Sequence, residues 1–190
     1  MTSAARTSPI DLLGTDVAAW NAYRSSDDGA VDLGDADLAG AMLAGANLAG
    51  VDLTGADLSG AVLVDATLAG ARLVSADLVG ADLTRADLSG VRAHDANLTG
   101  AYLTRSRLRD ADLTMAYLTS TYLGHADLTG ADLSDAYLTG AYLGDADLTG
   151  VILTGAYLGK VNLTGATLDA TDLTGADLTD AVLPDGTTAD

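Results

Sequence analysis

Leucine occupies every fifth position from Leu33 to Leu183, a run of 31 positions broken only by Ala93. The residue two before each of these positions is Ala 23 times, Val five times, and Ser or Thr three times. The residue immediately before is Asp in 13 pentads and Asn in three. A representative unit is Ala56-Asp57-Leu58-Ser59-Gly60, and nothing is inserted or deleted over the whole run. A period of five suits neither regular element. On an α-helix five residues rotate through about 500°, so successive Leu side chains would wander around the axis. On a strand an odd period sends alternate Leu to opposite faces. Burying them together requires the chain to turn about every five residues. Leu and the small residue two earlier then point inward, and the Gly, Asp and Ser two after each Leu suit the corners.

Rarer residues set the number of pentads per coil. Tyr102, Tyr122 and Tyr142 are 20 residues apart, as are Tyr117, Tyr137 and Tyr157. Arg72 with Arg92, and the set Arg85, Arg105 and His125, share that spacing. Twenty residues are four pentads, which describes a four-sided tube. The repeats then form between seven and eight coils, a rod of about 37 Å at the strand spacing. This pattern closely resembles the pentapeptide-repeat protein family, and the resemblance covers residues 31–183. It implies an all-β solenoid, a right-handed quadrilateral β-helix with Leu at the central inward position.

The ends read differently. Residues 1–30 form a start and a helical N-terminal cap, 31–183 the β-helix, and 184–190 a polar C-terminal tail. Ser8-Pro9-Ile10-Asp11 has the composition of a helix N-terminus. Ile10, Leu13, Val17 and Trp20 then form one apolar stripe, predicting a helix over 8–24. A solenoid needs its open core covered. Val17 and Trp20 are assigned to that lid, with partner binding through Trp20 as the alternative, and Asp27-Asp28-Gly29 makes the turn into the coils. At the other end Leu178 and Leu183 lie in a coil with no evident lid. Exposed strand edges invite pairing, so a homodimer through the C-terminal coils is expected. Ala93 leaves a hole in the Leu line that its larger neighbour Val91 partly fills.

Catalysis, cofactors and metals find little support. The chain has no Cys and no Glu, and His94 and His125 lie 31 residues apart, on different sides of the tube. Its glycines recur every five residues with no helix following, unlike a phosphate-binding loop. The residues give no catalytic, cofactor-binding or metal-binding set. No apolar run approaches a membrane span, and a cytoplasmic protein is expected.

The formal net charge is −18, all of its acids being Asp. That field excludes direct nucleic-acid binding through a general basic surface. The charge is banded. Residues 31–70 carry six Asp and no cation, 71–110 five Asp and six Arg, 111–150 six Asp and neither Lys nor Arg, and 151–183 four Asp and Lys160. At 20-residue spacing, Asp37, Asp57 and Asp77 form an acidic ladder, as do Asp112 with Asp132 and Asp127 with Asp147, all read as solvated wall positions. Some members of the family it resembles protect DNA gyrase and topoisomerase IV from poisons by imitating the shape and charge of DNA. The resemblance implies a non-catalytic binding protein of that kind, with gyrase or topoisomerase IV as its protein partner. The neutral, Arg-bearing waist interrupts the mimic. Beside it, Tyr102, Tyr117, Tyr122, Tyr137, Tyr142 and Tyr157 are expected to point outward on two adjacent walls, with Arg85 and Arg105 at the next corner and Arg107 just beyond. Tyr and Arg are favoured at binding hot spots, so the alternative is a protein–protein interaction scaffold using this surface, without topoisomerase activity. Equally, stacked Tyr stabilise neighbouring coils.

Overall fold

The computed structural model describes residues 9–26 and 29–189. From Asp32 to Val182 the residue before each Leu bridges, in parallel, the residue 20 positions on. The chain therefore winds as a β-helix with four walls. The first wall runs through Asp32, Asp52 and Arg72, the second through Asp37, Asp57 and Asp77, the third through Met42, Val62 and Asp82, and the fourth through Asn47, Thr67 and Asp87.

Each corner is a tight turn. The Leu carbonyl accepts from the amide three residues on, as Leu53 does from Ala56 at 3.0 Å. The third residue of that turn has positive φ throughout, from Asp35 at 54° to Asp180 at 58°. Glycine takes half of these corners without strain, and residues with side chains take the other half. Between coils each interior pentad pairs through three backbone amides. The Leu33 amide donates to Asp52 at 2.7 Å, that of Asp35 to Thr54 at 2.9 Å, and that of Asp52 to Val31 at 2.9 Å.

Inside, the Leu line and the facing Ala line are buried from Leu43 to Leu163. Ala93 and Val91 are buried with them. The polar inward residues are each satisfied by a backbone carbonyl: Ser106 donates to Leu103 at 2.7 Å, Thr121 to Leu98 at 2.9 Å, and Thr171 to Leu148 at 2.8 Å.

Before the coils stand two helices rather than the single one expected: α1 (Pro9–Thr15) and α2 (Val17–Ser26). Asp16 divides them because its carboxylate accepts from the Ala19 amide at 3.0 Å, capping α2. Ser8, Asp27 and Asp28 lie outside the described residues. Trp20 is fully buried and Val17 half-buried, so Trp20 is not displayed to a partner.

Polar side chains of α2 also complete the edge of the first coil on the fourth wall. One coil later, the Thr67 amide donates to Ala46 and its carbonyl accepts from Leu48. Asn47 has no preceding coil. Its amide donates instead to Asn21 Oδ1 at 2.8 Å, and its carbonyl accepts from Trp20 Nε1 at 2.8 Å. Arg24 Nη2 donates to the Ala49 carbonyl at 2.8 Å. The helix thus supplies side-chain donors and acceptors where a coil would supply backbone.

At the far end, the segment expected as a plain polar tail folds back. Val182 pairs with Thr188 in an antiparallel bridge, Leu183 donates to Thr187 at 2.7 Å, and Ala189 donates to Ala181 at 2.8 Å. This hairpin covers the third wall. On the other walls Leu168, Leu173 and Leu178 are half-buried, and their amides donate to no group among the described residues. Leu183 is half-buried beneath the fold-back. Among the described residues no helix is long and apolar enough to cross a membrane.

Candidate functional site

Because both inward positions are filled by the core, all variable chemistry sits on the walls and corners. The wall Asp residues are more than solvated charges. Asp52 Oδ1 accepts from the Thr54 amide at 3.0 Å and from its hydroxyl at 2.6 Å. The same pair of bonds recurs at Asp112, Asp127, Asp132, Asp147, Asp172 and Asp177. This explains the Asp-Leu-Thr/Ser unit: the carboxylate satisfies the first amide of the corner. Asn47, Asn97 and Asn162 do the same with their amide oxygen. The hydroxyl and then the amide of the following Thr or Ser hold the carboxyls of Asp52, Asp57, Asp172 and Asp177 below the usual carboxylate range.

The acidic ladders lie where the spacing placed them: Asp37, Asp57 and Asp77 on the second wall, Asp112 and Asp132 on the first, Asp127 and Asp147 on the fourth. They do not share a face. Corner acids turn toward the following coil. Asp110 and Asp135 lie over Gly130 and Gly155, where an added Cβ would meet their Oδ1 at 2.7 and 2.5 Å.

The waist is largely self-neutralised. Arg85 grips Asp65 with two hydrogen bonds of 2.7 and 2.6 Å, which holds the Asp65 carboxyl down. Arg72 faces Asp52 at 3.4 Å, Arg107 faces Asp87 at 3.8 Å, and Arg109 bonds Asp127. On the corner between the third and fourth walls, His125 lies 3.8 Å from Asp145. Arg105, between Arg85 and His125, has neither an ion pair nor a side-chain hydrogen bond; among the described arginines only Arg92 shares that state.

Six of the seven tyrosines occupy the second and third walls; Tyr23 lies in α2. Tyr117, Tyr137 and Tyr157 stack with centroids 5.0 and 4.8 Å apart and planes within 5°. Tyr102 and Tyr122 stack at 5.0 Å. Tyr142 departs from the expected ladder. Its ring lies over Gly124 and Gly144, where an added Cβ would clash with it, and both glycines are buried beneath it. With no side chain on that edge the ring tips across it instead of stacking on Tyr122. Five of the rings remain between 42% and 47% exposed, while Tyr137, held between two neighbours, is half-buried. Sequence reasoning missed Met115, at the corner beside Tyr117, and Ile152, on the first wall in the coil of Tyr157; both are exposed. Their signal was their type, since each replaces a polar residue or Gly at an outward position.

Among the described residues His94 activates no hydroxyl. Thr114 donates its one hydroxyl proton to Asp112 at 2.7 Å, so His94 Nδ1, 2.8 Å away, is the donor to it. Nor does any group of three potential metal ligands form among the described residues.

The model of pentapeptide repeats matches residues 32–183 in overlapping segments, with eight copies. The chain belongs to the pentapeptide-repeat family. This pentapeptide-repeat protein is similar to HetL, a protein involved in heterocyst differentiation regulation in the cyanobacterium Nostoc sp. strain PCC 7120. The two are 35% identical, over 83% of this chain and 78% of that one, with a TM-score of 0.38. It is also similar to QnrB1, a plasmid-mediated fluoroquinolone resistance protein, at 20% identity over 78% of this chain and 80% of that one, with a TM-score of 0.68. Rfr23 from the cyanobacterium Cyanothece 51142 is 39% identical over 48% of this chain and 63% of that one, with a TM-score of 0.48. No curated protein matches.

Proposed function

We propose that this protein is a non-catalytic binding protein that engages a protein partner through its outer walls, and that the partner is a type II topoisomerase such as DNA gyrase or topoisomerase IV. The observation that carries this reading is the fixing of the wall carboxylates. Each is anchored by its turn, and the hydroxyl and amide two residues on hold those of Asp52 and Asp57 below the usual carboxylate range, so rows of fixed carboxylates sit at coil spacing on a rigid rod, as phosphates do on DNA. The shared fold with a fluoroquinolone resistance protein points the same way, as fold analogy. The test is gyrase supercoiling with and without a fluoroquinolone. Inhibition or protection at micromolar protein is expected, and the absence of both would overturn the reading.

A second reading is a scaffold that uses the tyrosine surface, favoured by rings that are stacked yet nearly half exposed. Changing Tyr117, Tyr122 and Tyr137 to Ser should then abolish partner capture while the thermal melt holds. In either case we take the coil to be right-handed, with seven to eight turns and with α1 and α2 as its cap. The three walls of free amides near Leu168, Leu173 and Leu178 favour an end-to-end homodimer; a strictly monomeric mass by light scattering at tens of micromolar would exclude it.

A further inference from the structure

Most of the wall tyrosines fall in one of the two most acidic bands of the coil. Residues 111–150 hold six Asp with no Lys or Arg. On one side of the tyrosine walls stand Asp132, on the first wall, and Asp135, at the corner. On the other side stand Asp145, at the corner, and Asp147, on the fourth wall. The tyrosine strip, two walls wide, therefore lies between two acidic rails. Its lower end is bounded by the waist, where Arg105 is unpaired among the described residues.

We propose that this strip docks an arginine-rich segment of a partner protein. The inference rests on the reading that the outer walls bind protein, and it names the face and the chemistry of what binds. Exposed Tyr rings accept guanidinium groups, and the rails supply carboxylates on both sides of them. The whole-molecule charge of −18 steers a basic partner inward. The same charge opposes nucleic acid, and on this strip, away from the C-terminal edge, it opposes a second copy of this chain lying side by side, which would bring equal acidity. The free cation at Arg105 repels a basic segment from the waist and so sets its position along the rod.

The experiment titrates the full chain with hexa-arginine and with hexalysine at about 150 mM salt, followed by amide NMR and calorimetry. Shifts are expected to centre on residues 115–157, with hexa-arginine bound more tightly than hexalysine because the planar guanidinium stacks. The triple variant Tyr117→Ser, Tyr137→Ser, Tyr157→Ser should weaken hexa-arginine about tenfold or more. Asp37→Asn, Asp57→Asn, Asp77→Asn, which removes three charges from the same wall elsewhere, should change it less than about twofold. Circular dichroism confirms that both variants fold. Equal weakening by the two variants, shifts centred on residues 37–77, or unchanged binding by the tyrosine variant would each overturn the proposal. If the tyrosine variant still inhibits gyrase, the inference fails while the topoisomerase reading stands.

Discussion

Along the second wall one backbone carries two surfaces. From Asp37 to Asp77 its outward residues are acids, and from Tyr117 to Tyr157 they are aromatic. The ladder beneath them is the same. Leu38 donates to Asp57 at 2.7 Å and Leu118 to Tyr137 at 2.8 Å, while Asp57 and Tyr137 each donate to the Ala one coil back at 2.9 Å. What changes is where the outward residue spends its interactions. Asp57 accepts from the Ser59 amide two residues on, stabilising its own coil. Tyr137 offers no acceptor to the Thr139 amide and instead stacks on rings one coil above and below. Stabilisation moves from within a coil to between coils, and the wall is free to change its chemistry without changing its shape.

The largest effect should be blind to that difference. Leu58→Ala and Leu118→Ala sit under the acidic and aromatic halves respectively, and both side chains are buried. Each substitution is expected to cost about 2–5 kcal/mol in a denaturant titration followed by circular dichroism. A cost that differs by more than about 2 kcal/mol between them would break the claim that one core serves both surfaces.

Between the halves stands a natural Ala at a Leu position. Ala93 is buried at a Leu position, with Val91 beside it. Ala93→Leu is expected to raise stability by about 1–2 kcal/mol, less than the full cost of a Leu hole because Val91 occupies part of the space. A loss of stability would mean that Val91 already fills the site. The double variant Val91→Ala, Ala93→Leu would then recover it.

Acid should separate the halves. The carboxyls of Asp52 and Asp57 are held below the usual range, first by the hydroxyl and then by the amide of the following residue. A depressed folded-state pKa gives stability that is present above the ordinary Asp value, about 3.9, and lost as pH falls through the lower folded values. Stability should therefore fall below about pH 4. Asp52→Asn, Asp57→Asn should be close to neutral at pH 7, because Asn47, Asn97 and Asn162 already perform the same capping. The variant should also lose less between about pH 5 and pH 3. An unchanged acid limb would show that these turn bonds do not hold the charge.

The Leu period made the coil legible, and the 20-residue recurrence of Tyr and Arg made the four walls legible, because both follow from repetition alone. Trp20 was recoverable as a buried residue from its place on an apolar stripe. Asn21 and Arg24 were not, since their role appears only once α2 lies against the fourth wall and meets the unpaired groups of Asn47 and Ala49. The capping role of Asp was hidden in plain view. Asp-Leu-Thr is visible in the repeat, but its meaning depends on a corner amide that the fold aims at the carboxylate. Tyr142 stands outward on the wall where spacing put it, but its ring does not stack on Tyr122, because a ladder drawn from spacing ignores the neighbours one position away. Gly124 and Gly144 open a seat that competes with stacking. Spacing left open whether Arg85 and Arg105 present a binding surface or neutralise neighbouring Asp, and the corner geometry commits Arg85 to Asp65 while Arg105 has no partner among the described residues.

The smallest stability effect is the one that bears most on function. Tyr137→Ser removes a half-buried ring between two stacked neighbours and should cost about 0.5–1 kcal/mol, the scale of cross-strand aromatic pairs. Tyr137→Asp should cost less than Tyr137→Ser, although it removes the same ring. The new carboxylate would have the Thr139 amide and hydroxyl two residues on, the arrangement that Asp132 has with Ser134. It would also stand among other carboxylates, and that repulsion is screened at the surface. Thermal melts of the two variants in parallel decide the point. If Tyr137→Asp proves the less stable, the turn bond is worth less than charge repulsion, and the aromatic half is there because a further acid cannot be tolerated. If it proves the more stable, the fold has a better residue available at this rung than the one it carries, and the tyrosines are retained for what they present to the outside.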